Sequence, residues 1–243
     1  MTGYKFTGDD RPPSTLQRSA EVTSLFGRFW HGFGDPGPRG PEDGPPCLVV
    51  PGFLASDRTC MELRRSLAAR GWRTYPWDLG LNRGAYADVL RHLRQRLEVI
   101  HDGRPVLLVG WSLGGVFARE LAREVPEMVR AVVTLGSPFS GDPHMNNVWR
   151  LYEWIAGHSV DAPPVMHRPD KPPVPTLAIW SKQDGIVAKR AARGLEGERD
   201  KAVEADCGHM AFGISRRATR RVAREIGKFL FEVEGTHPTE SRD

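Results

Sequence analysis

The sequence predicts an α/β domain: a mostly parallel central sheet flanked by helices, with a small cap inserted late in the chain. Three observations carry this expectation. At 243 residues the chain is long enough for one domain with a substantial core. From Cys47 onward, short apolar runs alternate with segments of helical period, the pattern of strands joined by crossover helices. The runs are also continuous, as in VLLV at 106–109 and AVV at 131–133, which suits strands covered on both faces.

In chain order, residues 1–46 are rich in Pro, Gly and charge and form an N-terminal extension, irregular from 32 to 46. Within it, Leu16, Ala20, Leu25, Phe26, Phe29 and Trp30 give a short helix one apolar face that packs on the domain. The domain itself spans 47–233, and 234–243 form a flexible tail. Its strands are expected at 47–50, 73–77, 106–109, 131–135, 176–180 and 202–205. Helices are expected at 58–70, 85–101, 113–124, 188–193 and 215–232. About 140–174 the alternation breaks: a helix at 146–156 precedes a proline-rich return, which reads as a cap. Met145, Trp149, Leu151, Tyr152, Trp154 and Ile155 are too many large apolar groups for a solvated helix, so they must cover something.

Composition excludes several classes. With 40% hydrophobic and 26% charged residues, and no apolar run near the ~20 residues of a membrane span, an integral membrane segment is not expected. The N-terminus lacks the basic region, apolar stretch and cleavage site of a secretory signal, so a cytoplasmic enzyme is the expectation. Cys47, Cys60 and Cys207 are odd in number and hold no CxxC pair, which argues against a disulfide framework and against a zinc site. Neither metal nor cofactor is expected. Arg216, Arg217, Arg220, Arg221 and Arg224 recur at helical spacing and supply part of the net charge of +4. They read as the solvated face of the last helix, whose Ile214, Val222, Ile226, Phe229 and Leu230 face the core, and no nucleic-acid partner is expected.

The segment VLLVGWSLGG is the most informative in the chain. Gly110, Ser112 and Gly114 form GxSxG directly after a buried-type strand and directly before a helix. A serine on so tight a turn is strained and exposed, and side chains at the glycine positions would collide with neighbouring backbone. The helix N-terminus that follows favours developing negative charge, which makes the Leu113 N–H an oxyanion donor. A serine hydroxyl needs a histidine base oriented by a carboxylate. Where this turn carries a nucleophile, the chain order is Ser, acid, His. Asp184 in SKQDGIV and His209 in CGHM lie just past successive late strands, as that order requires. The other histidines, His31, His92, His101, His144, His158, His167 and His237, lie in loops, helices or the tail. Asp142 and Asp206 compete for the acid role; Asp184 is preferred because Asp206 is close to His209 along the chain and Asp142 sits at the mouth of the cap. A second oxyanion donor belongs in the loop after the first strand, where Gly52 permits close approach and the Phe53 N–H is the candidate.

Together PGF, WDLGLNRG, GWSLGG, LGSPF, SKQDGIV and GHM resemble bacterial α/β hydrolases of the esterase and lipase group, including members identified as distant relatives of lipid-anchor deacylases. The likeness covers roughly 46–230. It implies the α/β-hydrolase fold with an eight-stranded core sheet, a serine triad and carboxylic-ester substrates. Pro51 stands where the commoner HG motif has histidine. Serine at the elbow excludes the haloalkane dehalogenases and most epoxide hydrolases of this fold, which use aspartate. The expected activity is hydrolysis of a small-molecule or lipid-like ester through an acyl-enzyme, with Trp149, Tyr152 and Trp154 of the cap contacting its apolar group. Acyl transfer or thioester hydrolysis on the same triad, and a catalytically silent binding protein, are the alternatives.

Overall fold

The computed structural model describes residues 37–84, 88–141 and 168–235. The expected N-terminal helix, the expected cap helix with Trp149, Tyr152 and Trp154, and residues 236–243 lie outside these residues. Six strands are described: β1 Pro46–Val50, β2 Arg73–Pro76, β3 Val106–Trp111, β4 Val129–Leu135, β5 Thr176–Ser181 and β6 Lys201–Ala205. They form one sheet in the order β2-β1-β3-β4-β5-β6, with every neighbouring pair parallel. The resemblance implied eight strands; among the described residues there are six. Arg39 adds a single antiparallel bridge to Thr74 of the edge strand β2.

The continuous apolar runs are explained by how the strands are covered. On β1, Cys47 and Val49 belong to one core cluster while Leu48 and Val50 belong to another. On β3, Leu107, Val109 and Trp111 face the first cluster and Val106 and Leu108 the second. Successive side chains of a strand point to opposite faces, so a sheet with helices on both faces needs apolar residues at every position. The first face is covered by α1 (Met61–Ala68), α4 (Lys189–Arg193), α5 (Ala211–Ile214) and α6 (Arg216–Gly235). The second is covered by α2 (Val89–Ile100) and α3 (Leu113–Glu124).

Element boundaries differ from the expected ones where turn chemistry intervenes. The expected helix at 58–70 starts at Met61, because the Thr59 hydroxyl accepts from the Ser56 N–H and donates to the Ser56 carbonyl in a turn ahead of it. The last expected helix is found as α6, but Ile214 is not part of it: Ser215 takes an extended backbone (φ −88°, ψ 118°) ahead of α6, and Ile214 ends the short α5. Within α6, Val222, Ile226, Phe229 and Leu230 are buried as expected, and Arg216, Arg217, Arg220 and Arg224 are exposed. The helix runs on to Gly235, past the expected end of the domain. No helix among the described residues is long and apolar enough to cross a membrane.

Helix α3 is fixed to the rest of the domain by a buried arginine. The Arg119 guanidinium donates to the carbonyls of Pro169, Asp170 and Glu198 at 2.9, 2.8 and 3.0 Å and lies 4.2 Å from the Phe139 ring centroid. Burial, reinforced by nearby Arg123, lowers its pKa to about 10, and the carbonyl dipoles accept the charge. The chain re-entering at 168 is thereby tied to the helix that follows Ser112.

Candidate active site

Because all six strands are parallel, the loops after their carboxyl ends gather along one edge of the sheet, and this edge is where ligands bind in open α/β folds. Ser112, between β3 and α3, has φ 52° and ψ −124°. A non-glycine residue in that region carries strain of order 1–3 kcal/mol, which the surroundings must hold. Here the Ser112 N–H donates to Leu135 O at 2.9 Å, and the Ser112 carbonyl accepts from Gly115 N at 3.0 Å. The glycines around it are required by close approach. A Cβ on Gly110 would lie 2.3 Å from Gly114 O, and one on Gly114 would lie 2.3 Å from Val50 O. The first residue of α3, Leu113, is half-buried against the second core cluster.

His209 and Asp184 meet as a buried pair. His209 is 2% exposed and Asp184 3%, and Nδ1 of the ring lies 2.7 Å from Asp184 Oδ2. The carboxylate can only accept, so Nδ1 carries the proton and Nε2 is left as the basic nitrogen. The carboxylate divides its two oxygens between tasks: Oδ1 accepts from the N–H groups of Ile186 and Val187, both at 2.8 Å, while Oδ2 serves the imidazole. The turn after β5 thus holds the carboxylate still while it holds the histidine. His209 also lies beside Trp111, the residue before Ser112, with ring centroids 5.8 Å apart. Such an imidazole can take a proton from a neighbouring hydroxyl and return it to a leaving group. Asp206 is exposed and bonded to Gln183; Asp142 lies outside the described residues.

Phe53 is half-buried in the loop after β1. Its neighbour Gly52 packs against the serine, since a Cβ there would lie 2.9 Å from Ser112 Cβ. The loop is drawn tight: Ala55 N donates to Gly52 O at 3.0 Å, and Leu54 has φ 57°. Further along, Asp57 accepts from the backbone N–H groups of Trp77 and Asp78 at 2.9 and 3.1 Å, joining this loop to the end of β2. Burial pushes the Asp57 carboxyl up to about 6 despite those two bonds.

Two residues of this edge were not singled out from the sequence. Gly136, directly after β4, has φ 54°, and a Cβ there would lie 2.9 Å from Asp184 Oδ2 and 3.1 Å from His209 Nδ1. It is the floor under the pair. Asn82, in the loop after β2, is fully buried and bonded to the Pro51 carbonyl at 2.8 Å. The available signals were a glycine at a strand end and a lone asparagine in LGLNRG, and neither pattern names its partners. Among the described residues no group of three or more His, Cys, Asp or Glu is placed to hold a metal ion.

The sequence from 45 to 157 matches the model of the alpha/beta hydrolase fold family. No curated protein matches it. Among solved structures, the chain is similar to MGS-MChE2, an alpha/beta hydrolase enzyme from a sediment metagenome of the Mar Chica lagoon in Morocco. The two are 20% identical with a TM-score of 0.55, over 81% of this chain and 94% of that one. It is also similar to a monoacylglycerol lipase from Paleococcus ferrophilus (15% identity, TM-score 0.54, 78% and 96% covered). A third is the carboxylesterase CesB from Bacillus subtilis (14%, TM-score 0.53, 88% and 96% covered). The structural likeness extends over nearly the whole length of these three proteins, and the sequence match spans the strands on either side of the strained serine: the chain has the α/β-hydrolase fold.

Proposed function

We propose that the protein is a serine hydrolase that cleaves carboxylic esters through an acyl-enzyme formed on Ser112. The observation that carries this reading is the buried Asp184–His209 pair at the same sheet edge as a serine held at φ 52°. Strained backbone and buried titratable pairs cluster at active sites, and here both suit proton transfer from a hydroxyl. Ser112 Oγ attacks the ester carbonyl carbon as His209 Nε2 removes its proton. The oxygen of the tetrahedral intermediate is held by backbone N–H groups of Phe53 and Leu113. Asp184 stabilises the imidazolium, which protonates the departing alcohol. Water then enters, is deprotonated by His209 and releases the acid, regenerating the serine. Water is the favoured acceptor because the structural neighbours include a lipase and a carboxylesterase. The sequence of the cap, with Trp149, Tyr152 and Trp154, favours an ester with an apolar acyl or alcohol group, whose burial yields about 0.8 kcal/mol per methylene.

The test is labelling by a fluorophosphonate together with turnover of p-nitrophenyl acetate. Ser112→Ala is expected to lose the label and to lose ~10⁴-fold or more in kcat while remaining folded. A folded Ser112→Ala protein that keeps a tenth of the activity refutes the assignment.

A further inference from the structure

We infer that Asn82 is a positioning residue for this reaction, holding the Pro51–Ala55 turn against Ser112 so that its backbone meets the developing oxyanion. The inference rests on the proposed role of Ser112. Its evidence is a burial pattern that runs against chemistry. In the loop after β2, the apolar Leu81 is 38% exposed and the polar Asn82 is 0% exposed. A carboxamide is taken out of water only where its hydrogen bonds are replaced. Asn82 replaces them across two loops. Its Nδ2 donates to Pro51 O at 2.8 Å, and its Oδ1 accepts from Gly84 N at 3.0 Å. Its backbone N–H donates to Ala55 O at 2.8 Å, and its carbonyl accepts from Leu54 N at 2.7 Å. Three of these four bonds go to the turn that carries Gly52 and Phe53.

A bond from Ala55 N to Gly52 O closes that turn, while Leu54 sits at φ 57°, a region that a leucine enters only under constraint. Asn82 supplies constraint from outside, bonding the first residue of the turn, the strained residue and the last residue. The turn has little freedom on its other side, where Gly52 is in contact range of Ser112. An oxyanion donor is effective only when fixed before the charge forms, so a loosened turn loses transition-state stabilisation and leaves ground-state binding nearly intact.

The incisive variant is Asn82→Ser. A serine hydroxyl can still accept from the N–H two residues on, preserving the local turn to Gly84, but it is too short to reach Pro51. Asn82→Asp is the companion: it keeps the acceptor for Gly84 N–H and faces the Pro51 carbonyl without a donor. With p-nitrophenyl acetate, both are expected to lower kcat by about 10²-fold, the loss typical of one oxyanion donor, with KM within about threefold of the parent. Melting temperatures, and Ser112→Ala in parallel, complete the experiment. If kcat of a folded Asn82→Ser protein stays within twofold while Ser112→Ala is inactive, the positioning role is overturned and the proposed mechanism stands. If KM alone changes, the turn serves substrate binding and the inference fails. If Ser112→Ala stays active, both readings fall together.

Discussion

Replacing Gly136 by alanine probes the Asp184–His209 pair without touching either member. The methyl group would lie 2.9 Å from Asp184 Oδ2, 3.1 Å from His209 Nδ1 and 3.2 Å from Phe212 Cε2. An ordinary carbon–oxygen contact is ~3.3 Å or more, so the pair must give way by about 0.4 Å. Since a misplacement of ~1 Å costs roughly 10²-fold in rate, a shift of this size is expected to lower kcat about five- to tenfold. Alanine also brings backbone strain, because Gly136 has φ 54°, and left-handed backbone costs an L-residue about 1–2 kcal/mol. Gly103→Ala is the matched control. That glycine has φ 89° with nothing within 4 Å of a new Cβ, so its variant carries the strain alone. In a domain of this size the strain lowers Tm by ~2–4 °C per kcal/mol, or about 2–8 °C for either variant. The assay is kcat for p-nitrophenyl acetate beside Tm by circular dichroism. Gly103→Ala should keep full kcat with its Tm loss, and Gly136→Ala should lose kcat as well. Equal Tm losses with full kcat in both variants would refute the idea that the catalytic pair rests on Gly136.

Asp184→Asn is expected to reduce kcat by roughly 10³- to 10⁴-fold, because an amide cannot hold the same histidine tautomer or stabilise the imidazolium; Asp206→Asn, exposed and bonded to Gln183, should stay within about twofold in the same assay. The Asp57 carboxyl, raised to about 6 by burial, makes the fold bind a proton more tightly than the unfolded chain does. Its contribution is therefore fully present below the ordinary aspartate value of 3.8 and is lost as pH rises through 6, a change of up to about 3 kcal/mol; urea midpoints from pH 4 to 7 should show this slope in the parent and lack it in Asp57→Asn. Trp149→Ala and Trp154→Ala, compared at matched Tm, are expected to lower kcat/KM for a long-chain ester more than for an acetate; equal losses for both substrates would reduce the cap residues to packing.

The strand and helix pattern was legible in the sequence because it is written locally. VLLV and AVV are apolar at consecutive positions only because helices cover both faces, and the two core clusters divide those residues in alternation. The turn at Ser112 was legible for the same reason: its glycines answer to backbone only a few residues away or on the adjoining strand. Where a local pattern had two solutions, neighbours decided. Ser215 leaves Ile214 in a short helix of its own ahead of α6, and Ser56 with Thr59 delays the start of α1. The preference for Asp184 over Asp206 rests on the short chain separation of Asp206 from His209, but the 2.7 Å bond to His209 depends on β5 and β6 lying side by side in register. Asn82 and Gly136 were not legible at all. Their partners, Pro51 and the Asp184–His209 pair, are brought to them by the parallel sheet, which collects loops distant in the chain along one edge. The sequence by itself determined the layers, the elbow and the order of the candidate triad, since these follow from periodicity and short-range sterics. Only the tertiary structure decided what holds those residues in place, because hydrogen bonds and contacts between loops 31 to 73 residues apart leave no periodic trace in the chain.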